Sequence, residues 1–470
     1  MKLLARLVFV LPVAALLATA CSKDEEEDTS SLVFNDPALY FSAPGERGVA
    51  SFSADGVSDL YISSRPEGWN DITLDAAART VTVVAPVESK EDETALSGSV
   101  VISGVSYMGG ARSATLFVGM VKTTDLSDKP ANSYIVREKQ THYTFDVTLG
   151  GKISPAGVGL IWQSAAGLLQ YVQMDGGKAS FYVGSDSEDK HIHEGNALIG
   201  AYDAAGTLLW SWHVWATPYD PESDVLHYAN GYEVMGRNLG ALDNANTTPE
   251  ERVASYGLYY QWGRKDPFIG PASYRANSGS GAAMYNASGS RVYVTPVASS
   301  AETGTSDYAR RNPLSFITGV ADSGNDWLWT ADDARWGAKK TENDPCPYGW
   351  KVAPEGAFAG LTIADTPKES DYDVFGWTLT DGSVSSLYLA AGRRIYSNGA
   401  IQNIYIPPVG VRADEAQPWE GLYWTAGSLA ERKSPALYFW FEKLTTTAGI
   451  EPAAPYARAN GMSVRCVRDK

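Results

Sequence analysis

Short alternating runs of apolar and polar residues fill the first quarter of the chain. The runs at residues 80–84, 98–102 and 114–118 place every second side chain on one face, as in strands with one buried side. Turn-forming residues separate the runs. The pattern predicts a β-sandwich over residues 32–121, followed by a polar connector at residues 122–129.

A second set of strand-like runs covers residues 130–220. Its last run, LLWSWHVW, follows the turn residues 203–206. Because side chains alternate along a strand, Trp210 and Trp212 share one face, while Trp215 lies on the other. Large residues on both faces predict a strand that is central or covered on both sides.

The remaining residues, 233–470, have no long periodic pattern. The stretch YGLYYQWGRKDPF at residues 256–268 carries several aromatic residues and ends at an Asp-Pro breaker, which predicts a buried element with an ion-paired turn. Short helices are predicted at residues 330–337 and 354–361, each opened by a cap or a proline. The rest is predicted to be strand and loop.

Composition supports a mostly β protein of several domains. The 470 residues include 45 glycines, 24 prolines, 14 tryptophans and 26 tyrosines, which is typical of β proteins with many turns. At about 100–200 residues per domain, the length indicates about three domains. The formal net charge of -17 repels phosphate backbones, so nucleic acid is not an expected partner.

Residues 1–21 form an export signal. A short basic region precedes an apolar stretch that is too short to span a bilayer, and small residues then lead to Cys21. The pattern resembles a bacterial lipobox, which implies that Cys21 becomes the acylated first residue of the mature chain. Ala18 departs from the usual leucine or valine, so ordinary secretory cleavage near Ala20 stays an alternative.

An acidic tether at residues 22–31 follows the predicted acylation site. Its run of aspartates and glutamates cannot fold alone and is expected to act as a solvated spacer. It also resembles the acidic signal that sends Bacteroidetes lipoproteins to the outer face of the outer membrane. We therefore expect a lipid-anchored outer-membrane protein that faces the cell exterior.

Sequence blocks in all three regions resemble domains of Bacteroidetes surface proteins. Residues 32–121, with GW, TVTVVAP and SGSVVISG, resemble the BACON-type immunoglobulin-like module, and residues 130–220 are similar to fimbrillin-like proteins. Residues 233–470 resemble the FISUMP (Fibrobacter succinogenes major paralogous) domain. Six blocks occur in that domain's order: VMGRNLGAL, YGLYYQWGRKDPF, DPCPYGWKV, LAAGRRI, GLYWTA and NGMSVRCVRD.

The resemblance implies a multidomain, mostly β fold. Two immunoglobulin-like β-sandwiches would be followed by an α+β domain of C-type-lectin-like character. Residues 272–305, rich in Gly, Ser and Ala, depart from the family pattern as a long insertion.

Two cysteines, Cys346 and Cys466, remain after processing of the signal. The export signal places them in an oxidising compartment, so we expect a disulfide between them, with two buried free thiols as the alternative. Closing a loop of this length would stabilise the fold by roughly 4–5 kcal/mol on the chain-entropy model.

The densest cluster of aromatic residues and carboxylates in the C-terminal region suggests a glycan site. Sugar rings stack on aromatic faces, and amides and acids hydrogen-bond their hydroxyls. The alternative is that the alternating tryptophans belong to the core. The candidate glycan-binding residues are Asn325, Asp326, Trp327, Trp329 and Trp336, with Trp419 in a second patch.

Metal binding and catalysis have little support in the sequence. His191 and His193 share a face of an extended segment, but no further histidine or cysteine lies nearby. Asp332 and Asp333 are expected to open a helix, where negative charge is favoured. We therefore expect no metal, no cofactor and no catalytic residue.

The sequence favours a non-enzymatic cell-surface adhesin or glycan-binding protein. Expected partners are a surface glycan or a host or bacterial surface protein, the outer membrane through the lipid anchor, and fimbrial subunits if the protein is an accessory or tip subunit of a fibre. The alternatives are an outer-surface glycan-processing enzyme that uses carboxylates of the C-terminal domain, and a structural pilin.

Overall fold

The computed structural model describes residues 27–87, 96–273, 281–364, 376–402, 418–442 and 447–470, with only the backbone at residues 418, 419 and 442. The predicted signal peptide, Cys21 and residues 22–26 of the acidic tether lie outside these residues. The rest of the predicted tether is not a free spacer, because Asp28 pairs with Arg112 at 2.8 Å and the first strand begins at Ser31. Strands make up 46% and helices 6%. The prediction of a mostly β fold with many sheets is therefore confirmed.

The first unit consists of two four-stranded sheets that enclose one core. The sheets have the strand orders β1-β3-β6-β5 and β2-β8-β7-β4, and the fully buried Trp69 lies among the side chains between them. The strands are β1 Ser31–Phe34, β2 Ala38–Phe41, β3 Arg47–Asp55, β4 Val57–Ser64, β5 Ile72–Asp75, β6 Thr80–Val84, β7 Ser97–Ser106 and β8 Ala111–Met120.

The second unit begins earlier than its predicted boundary. Strand β9 (Thr123–Asp125) pairs in parallel with β11 (Thr141–Asp146), and Thr123 Oγ1 lies 3.0 Å from His142 Nδ1. The predicted polar connector at residues 122–129 is thus partly a strand of the second unit. The other strands are β10 Ser133–Val136, β12 Gly157–Gln163, β13 Gln170–Asp175, β14 Lys178–Val183, β15 Gly195–Tyr202 and β16 Leu208–Ala216.

In its described residues, the C-terminal region contains short strands, two α-helices and several 3-10 turns. Its strands are β17 Val225–His227, β18 Glu233–Met235, β19 Tyr260–Gln261, β20 Met284–Tyr285, β21 Arg291–Val292, β22 Thr295–Ala298, β23 Ser315–Thr318, β24 Trp350–Val352, β25 Thr362–Ile363, β26 Gly376–Thr380, β27 Ser385–Leu389, β28 Arg393–Arg394, β29 Ile401–Gln402, β30 Pro418–Trp424, β31 Lys433–Glu442, β32 Thr447–Ala457, β33 Gly461–Met462 and β34 Cys466–Arg468. The α-helices are α1 Pro249–Tyr256 and α2 Ser306–Arg311, and the 3-10 helices are Ala321–Ser323, Glu355–Phe358 and Ala430–Arg432.

The helix predicted at residues 330–337 is wrong. Asp332 Oδ1 accepts a hydrogen bond from Ala334 N, which closes a local turn, and the Arg335 side chain reaches away to Gly263 O. Tertiary contacts thus hold this segment as turns. The prediction at residues 354–361 corresponds only to the 3-10 helix Glu355–Phe358.

Helix α1 was not predicted, although its start signal is in the sequence. Thr248 caps the helix by accepting from Glu251 N, and the Glu251 side chain returns a bond to Thr248 N. This reciprocal pair is a capping box, followed here by Pro249 at the first helical position.

Strand β16 is covered on both faces, as predicted. Trp212 and Val214 lie in the core between the two sheets of the second unit. Trp215, on the opposite face, lies in a different core together with Trp262 and Trp336 of the C-terminal region. We call this second cluster the junction core, because residues of both regions build it.

One sheet runs through the boundary between the second unit and the C-terminal region. Its strand order is β10-β16-β15-β12-β20-β21, so two strands from the insertion-like residues 272–305 extend a sheet of the second unit through the pair Gln163↔Tyr285. The second unit and the C-terminal region therefore share a sheet and are not joined only by a linker.

The predicted disulfide is present. Cys346 and Cys466 are bonded, with their Cα atoms 6.1 Å apart and 120 residues between them in sequence. Both are fully buried in the junction core. The bond closes the C-terminal region from the loop before β24 to the last strand, β34.

The described part of the chain contains no helix that is long and apolar enough to cross a membrane.

Candidate functional site

The stretch at residues 256–268 is a structural centre of the C-terminal region. Its aromatic residues Tyr259, Tyr260 and Trp262 are almost completely buried. The predicted ion pair forms between Lys265 Nζ and Asp266 Oδ1 at 2.6 Å. Arg264, also buried, donates instead to Gln261 Oε1 and to the carbonyl oxygens of residues 315 and 309. Burial lowers the pKa of Arg264 to about 10.

Two of the six predicted glycan-binding residues cannot stack on a sugar, because they have no exposed face. Trp327 is fully buried and donates its Nε1 hydrogen to Trp262 O at 2.7 Å. Trp336 is 1% exposed and donates to Asn343 O at 2.8 Å. The alternating tryptophans are core residues, so their assignment to a glycan site is wrong. Their burial depends on the apolar cores that surround them, and a local sequence pattern does not show which residues build those cores.

Asp326 also belongs to the interior. Its carboxylate is fully buried, accepts a hydrogen bond from Leu328 N, and lies 3.6 Å from the guanidinium of Arg458. Burial raises the pKa of Asp326 to about 6, against the opposing effects of that hydrogen bond and of Arg458. The carboxylate stabilises the turn that precedes Trp327. Because it is buried, it cannot contact a sugar.

The other three candidates are not brought together. Asn325 and Trp329 are half-buried, and the side chain of Trp419 lies outside the described residues. Asn325 adopts a left-handed backbone conformation with φ 60°. Trp329 donates its backbone N–H to Gly304 O and accepts from Arg432 at its carbonyl oxygen. Neither Asn325 nor Trp329 lines the cavities described below.

A different tryptophan has the expected features of a binding platform. Trp210, in strand β16, is half-buried and lies between two cavities where the second unit meets the C-terminal region. Trp210 and Glu342 line both cavities, so the cavities abut at these two residues. We call the pair of cavities the Trp210 groove.

The first cavity has a volume of about 340 Å³ and combines an aromatic wall with polar groups. Burial raises the pKa of Tyr134 in this wall to about 12. Lys152 and Glu342 are exposed at the rim. The lining residues are Pro130, Ala131, Asn132, Tyr134, Asp146, Leu149, Gly150, Lys152, Trp210, Trp212, Lys340, Thr341 and Glu342.

The second cavity, of about 360 Å³, is mainly polar. Arg335 lines this cavity and donates hydrogen bonds to Gly263 O, Ser306 Oγ and Asn343 Oδ1, each at 2.7 Å. Burial lowers the pKa of Arg335 and of Lys265. The lining residues are Trp210, Arg264, Lys265, Asp266, Ser306, Asp307, Ala309, Arg310, Asp332, Arg335, Glu342 and Asn343.

Asn132 fixes the geometry of the groove. Its amide Nδ2 donates to Glu342 O at 2.7 Å and to Asp344 O at 2.8 Å, and its Oδ1 accepts from Trp210 Nε1 at 3.0 Å. One side chain therefore ties the tryptophan to the loop that carries Glu342. Four residues after Glu342, the same loop is held by the Cys346 disulfide.

Helix α2 and a buried lysine position the second cavity against Trp210. Arg310, in the last turn of α2, donates to the carbonyl oxygens of Leu208 at 3.0 Å and Leu209 at 2.7 Å. Lys265 Nζ lies 4.5 Å from the centre of the Trp210 ring, a distance suited to a cation–π interaction. One face of the indole is thus supported by the protein.

The sequence contained a partial signal for this site. Trp210 is the third residue of strand β16, closer to the turn at residues 203–206 than Trp212 or Trp215, and it is half-buried whereas those two are buried. Its nearness to Glu342 and Arg335 depends on contacts over more than 100 residues of sequence. Sequence patterns do not show such contacts.

Metal binding has no support in the part of the chain that the structure describes. Within those residues, no group of three or more His, Cys, Asp or Glu side chains could hold a metal ion. His191 is exposed and His193 half-buried beside a turn, and the two lie outside the groove.

Comparisons with known proteins give only distant likenesses. No family profile and no curated protein matches the chain, whereas 147 chains of solved structures do. The match to the D00-D0 domain of Intimin has 13% sequence identity and a TM-score of 0.16, and it covers 39% of this chain and 96% of the Intimin chain.

Two further solved structures are similar over comparable lengths. Protocadherin Gamma B7 extracellular cadherin domains 1-4 are 11% identical over 40% of this chain and 51% of their own, with a TM-score of 0.15. SGBP-B of the Bacteroides ovatus mixed-linkage glucan utilization locus, solved with a mixed-linkage heptasaccharide, is 10% identical over 38% of this chain and 43% of its own, with a TM-score of 0.12. This chain thus spans about half of the protocadherin structure. Scores this low support no argument about function.

Proposed function

We propose that this protein is a non-enzymatic lipoprotein of the cell surface that binds glycans and so acts as an adhesin or glycan-binding protein. The observation that supports this most is the Trp210 groove. A half-buried indole stands between two cavities, next to an exposed carboxylate and several polar side chains. An aromatic face for sugar C–H groups beside hydrogen-bonding groups for hydroxyls is the chemistry that glycan recognition requires.

The anchoring part of the proposal is supported by the N-terminal sequence. Acylation at Cys21, followed by the acidic tether, would hold the chain at the outer face of the outer membrane. The BACON-like and fimbrillin-like units would then form a stalk, and the FISUMP-like region would be presented outward, in the manner of a fibre accessory or tip subunit.

A glycan array probed with the full chain tests the binding function. We expect glycan binding without release of products. Trp210→Ala should weaken the affinity about 30-fold or more, which corresponds to about 2 kcal/mol, the size of a hot-spot contact. Trp440→Ala is the matched control, because Trp440 is a half-buried tryptophan outside the groove. A fragment that starts at residue 233 is unsuitable, since it lacks Trp210.

Each result of the array has a defined meaning. Release of shortened glycans would favour a glycan-processing enzyme over a binding protein. Silence toward every glycan class, with the chain folded, would refute the proposal and leave protein partners. Equal losses in Trp210→Ala and Trp440→Ala would show that the groove is not the site.

The anchor is tested in intact cells. We expect a membrane-impermeant reagent to label the protein without lysis, and Cys21→Ser to move the protein out of the membrane fraction. Labelling that needs lysis would exclude display at the surface, and retention of the Cys21→Ser variant in the membrane would exclude acylation as the anchor.

A further inference from the structure

We propose that the Trp210 groove takes an uncharged, linear oligosaccharide that spans both cavities, with Trp210 and Glu342 at its middle, and this inference rests on the proposed glycan-binding function. The two cavities have similar volumes, about 340 and 360 Å³. Each lies near the lower limit for a small-ligand site, which is about 300 Å³. A single sugar bound in one of them would leave the other empty.

The shared lining residues place the middle of the ligand. Trp210 and Glu342 belong to both cavities, so a chain that passes from one cavity to the other must cross them. In the described residues, the carboxylate of Glu342 forms no hydrogen bond, and the residue is exposed. It is therefore available to accept from sugar hydroxyls while the indole contacts a ring face.

The charges in the walls favour an uncharged ligand. The cations of the second cavity are already engaged: Lys265 with Asp266 at 2.6 Å, Arg310 with Asp307, and Arg335 with three oxygen acceptors. In the first cavity, Lys340 Nζ donates to Cys346 O at 2.8 Å and to Trp350 O at 2.6 Å. Among the described cations of these walls, only Lys152 at the rim of the first cavity has no such partner, and a single lysine does not match a chain of acidic sugars.

The exposed groups lead to the same conclusion. Lys152 and Glu342 are the exposed ionic groups of opposite sign in the first cavity. In the second cavity Asp332 is exposed as well, and its Oδ2 lies 3.9 Å from Arg335. With a net charge of -17 for the whole chain, repulsion would oppose a polyanionic glycan at low ionic strength.

A fixed distance between the cavities makes ligand length a determinant of affinity. Asn132 joins Trp210 to the backbone at Glu342 and Asp344, and Ser133 Oγ donates to Pro345 O at 2.7 Å. The loop is closed further by the Cys346 disulfide. Because the two cavities are held together in this way, a ligand that reaches both gains contacts that a shorter one lacks.

The test is a calorimetric length series with the full chain. The probes are cello-, manno- and xylo-oligosaccharides of one to six sugars, with galacturonic acid oligomers as the acidic series. For at least one neutral series, we expect affinity to rise at least tenfold between the monosaccharide and the longer members and then to level off. The acidic series should bind more weakly at low salt.

Variants at the two ends of the groove show whether the ligand spans it. Lys152→Ala changes only the first cavity, and Asp332→Asn changes only the second. Each should weaken binding of the longest ligand several-fold, and neither should change its stoichiometry. The inference would be overturned if affinity did not depend on ligand length, or if both variants kept the same dependence on length as the parent protein. Glycan binding itself would not be refuted by either result. Preference for the acidic series would also overturn the inference. If no glycan of any class binds, both this inference and the proposed function are refuted.

Discussion

Two tryptophan-bearing regions of this protein both combine aromatic and acidic side chains, yet their environments are opposite. Residues 325–336 carry tryptophans beside aspartates, and so does the wall around Trp210 once the chain is folded. In the first region, Trp327 and Trp336 are buried and both indole N–H groups are bonded to backbone carbonyls. In the second, Trp210 keeps an accessible part beside two cavities. Aromatic and acidic density along the chain therefore does not distinguish a core from a binding surface.

The difference comes from the neighbours that each tryptophan meets. Trp327 lies in a core of the C-terminal region and Trp336 in the junction core, and distant parts of the chain fill the space around both. Trp210 lies at the interface between the second unit and the C-terminal region, where the two surfaces leave cavities between them. Interfaces between domains are common places for binding sites.

The largest expected effect tests how firmly the buried region is closed. Replacing both cysteines, Cys346→Ser with Cys466→Ser, should lower the free energy of unfolding by about 4–5 kcal/mol, since 120 residues of chain regain freedom in the unfolded state. Urea unfolding of the variant and of the parent protein measures this. A loss below about 1 kcal/mol would mean that the junction core holds without the bond.

Removing a buried tryptophan should be nearly as costly. We expect Trp327→Ala to lower the free energy of unfolding by about 3–5 kcal/mol, because it leaves a cavity in a filled core. The matched control is Trp329→Ala, two residues away and half-buried, which should cost clearly less. Equal costs in chemical denaturation would contradict the distinction between core and surface within this cluster.

The buried carboxyl of Asp326 should make the stability depend on pH. Its folded pKa, about 6, lies above the ordinary carboxyl value of 3.8. Its contribution to the free energy of unfolding is therefore fully present below pH 3.8 and is lost as pH rises through 6. At about 1.4 kcal/mol per pH unit, the loss is about 3 kcal/mol.

Asp326→Asn removes this titration. Unfolding free energies at pH 4 and pH 7 should therefore show the parent losing stability relative to the variant as pH rises. Asp332→Asn serves as the control, since Asp332 is exposed. The same pH dependence in the parent and in Asp326→Asn would refute the assignment.

The smallest effect is expected at the groove. Trp210→Ala should cost only about 1–2 kcal/mol of folding free energy, because the side chain is partly exposed and loses less apolar burial than a core tryptophan. Thermal or urea unfolding measures the cost. If Trp210→Ala proved as destabilising as Trp327→Ala, Trp210 would be a core residue and the comparison between the two regions would fail.

Much of the fold was predictable from local patterns. Alternating runs identified most strands of the first two units, and the two faces of strand β16 were assigned correctly to two buried sides. The helix at residues 330–337 failed because the Arg335 side chain bonds to a distant carbonyl and an aspartate closes a turn. The capping box at Thr248 is a purely local signal, so the start of helix α1 was also predictable from the sequence.

The sequence alone determined what depends on residue type and short-range periodicity. It determined a mostly β chain, the buried aromatic stretch at residues 256–268, and the pairing of Cys346 with Cys466. Only the tertiary structure decided which tryptophan stays accessible. Exposure depends on the atoms that pack around a side chain, and around Trp210 these come from Asn132 and Glu342, far from it and from each other along the chain.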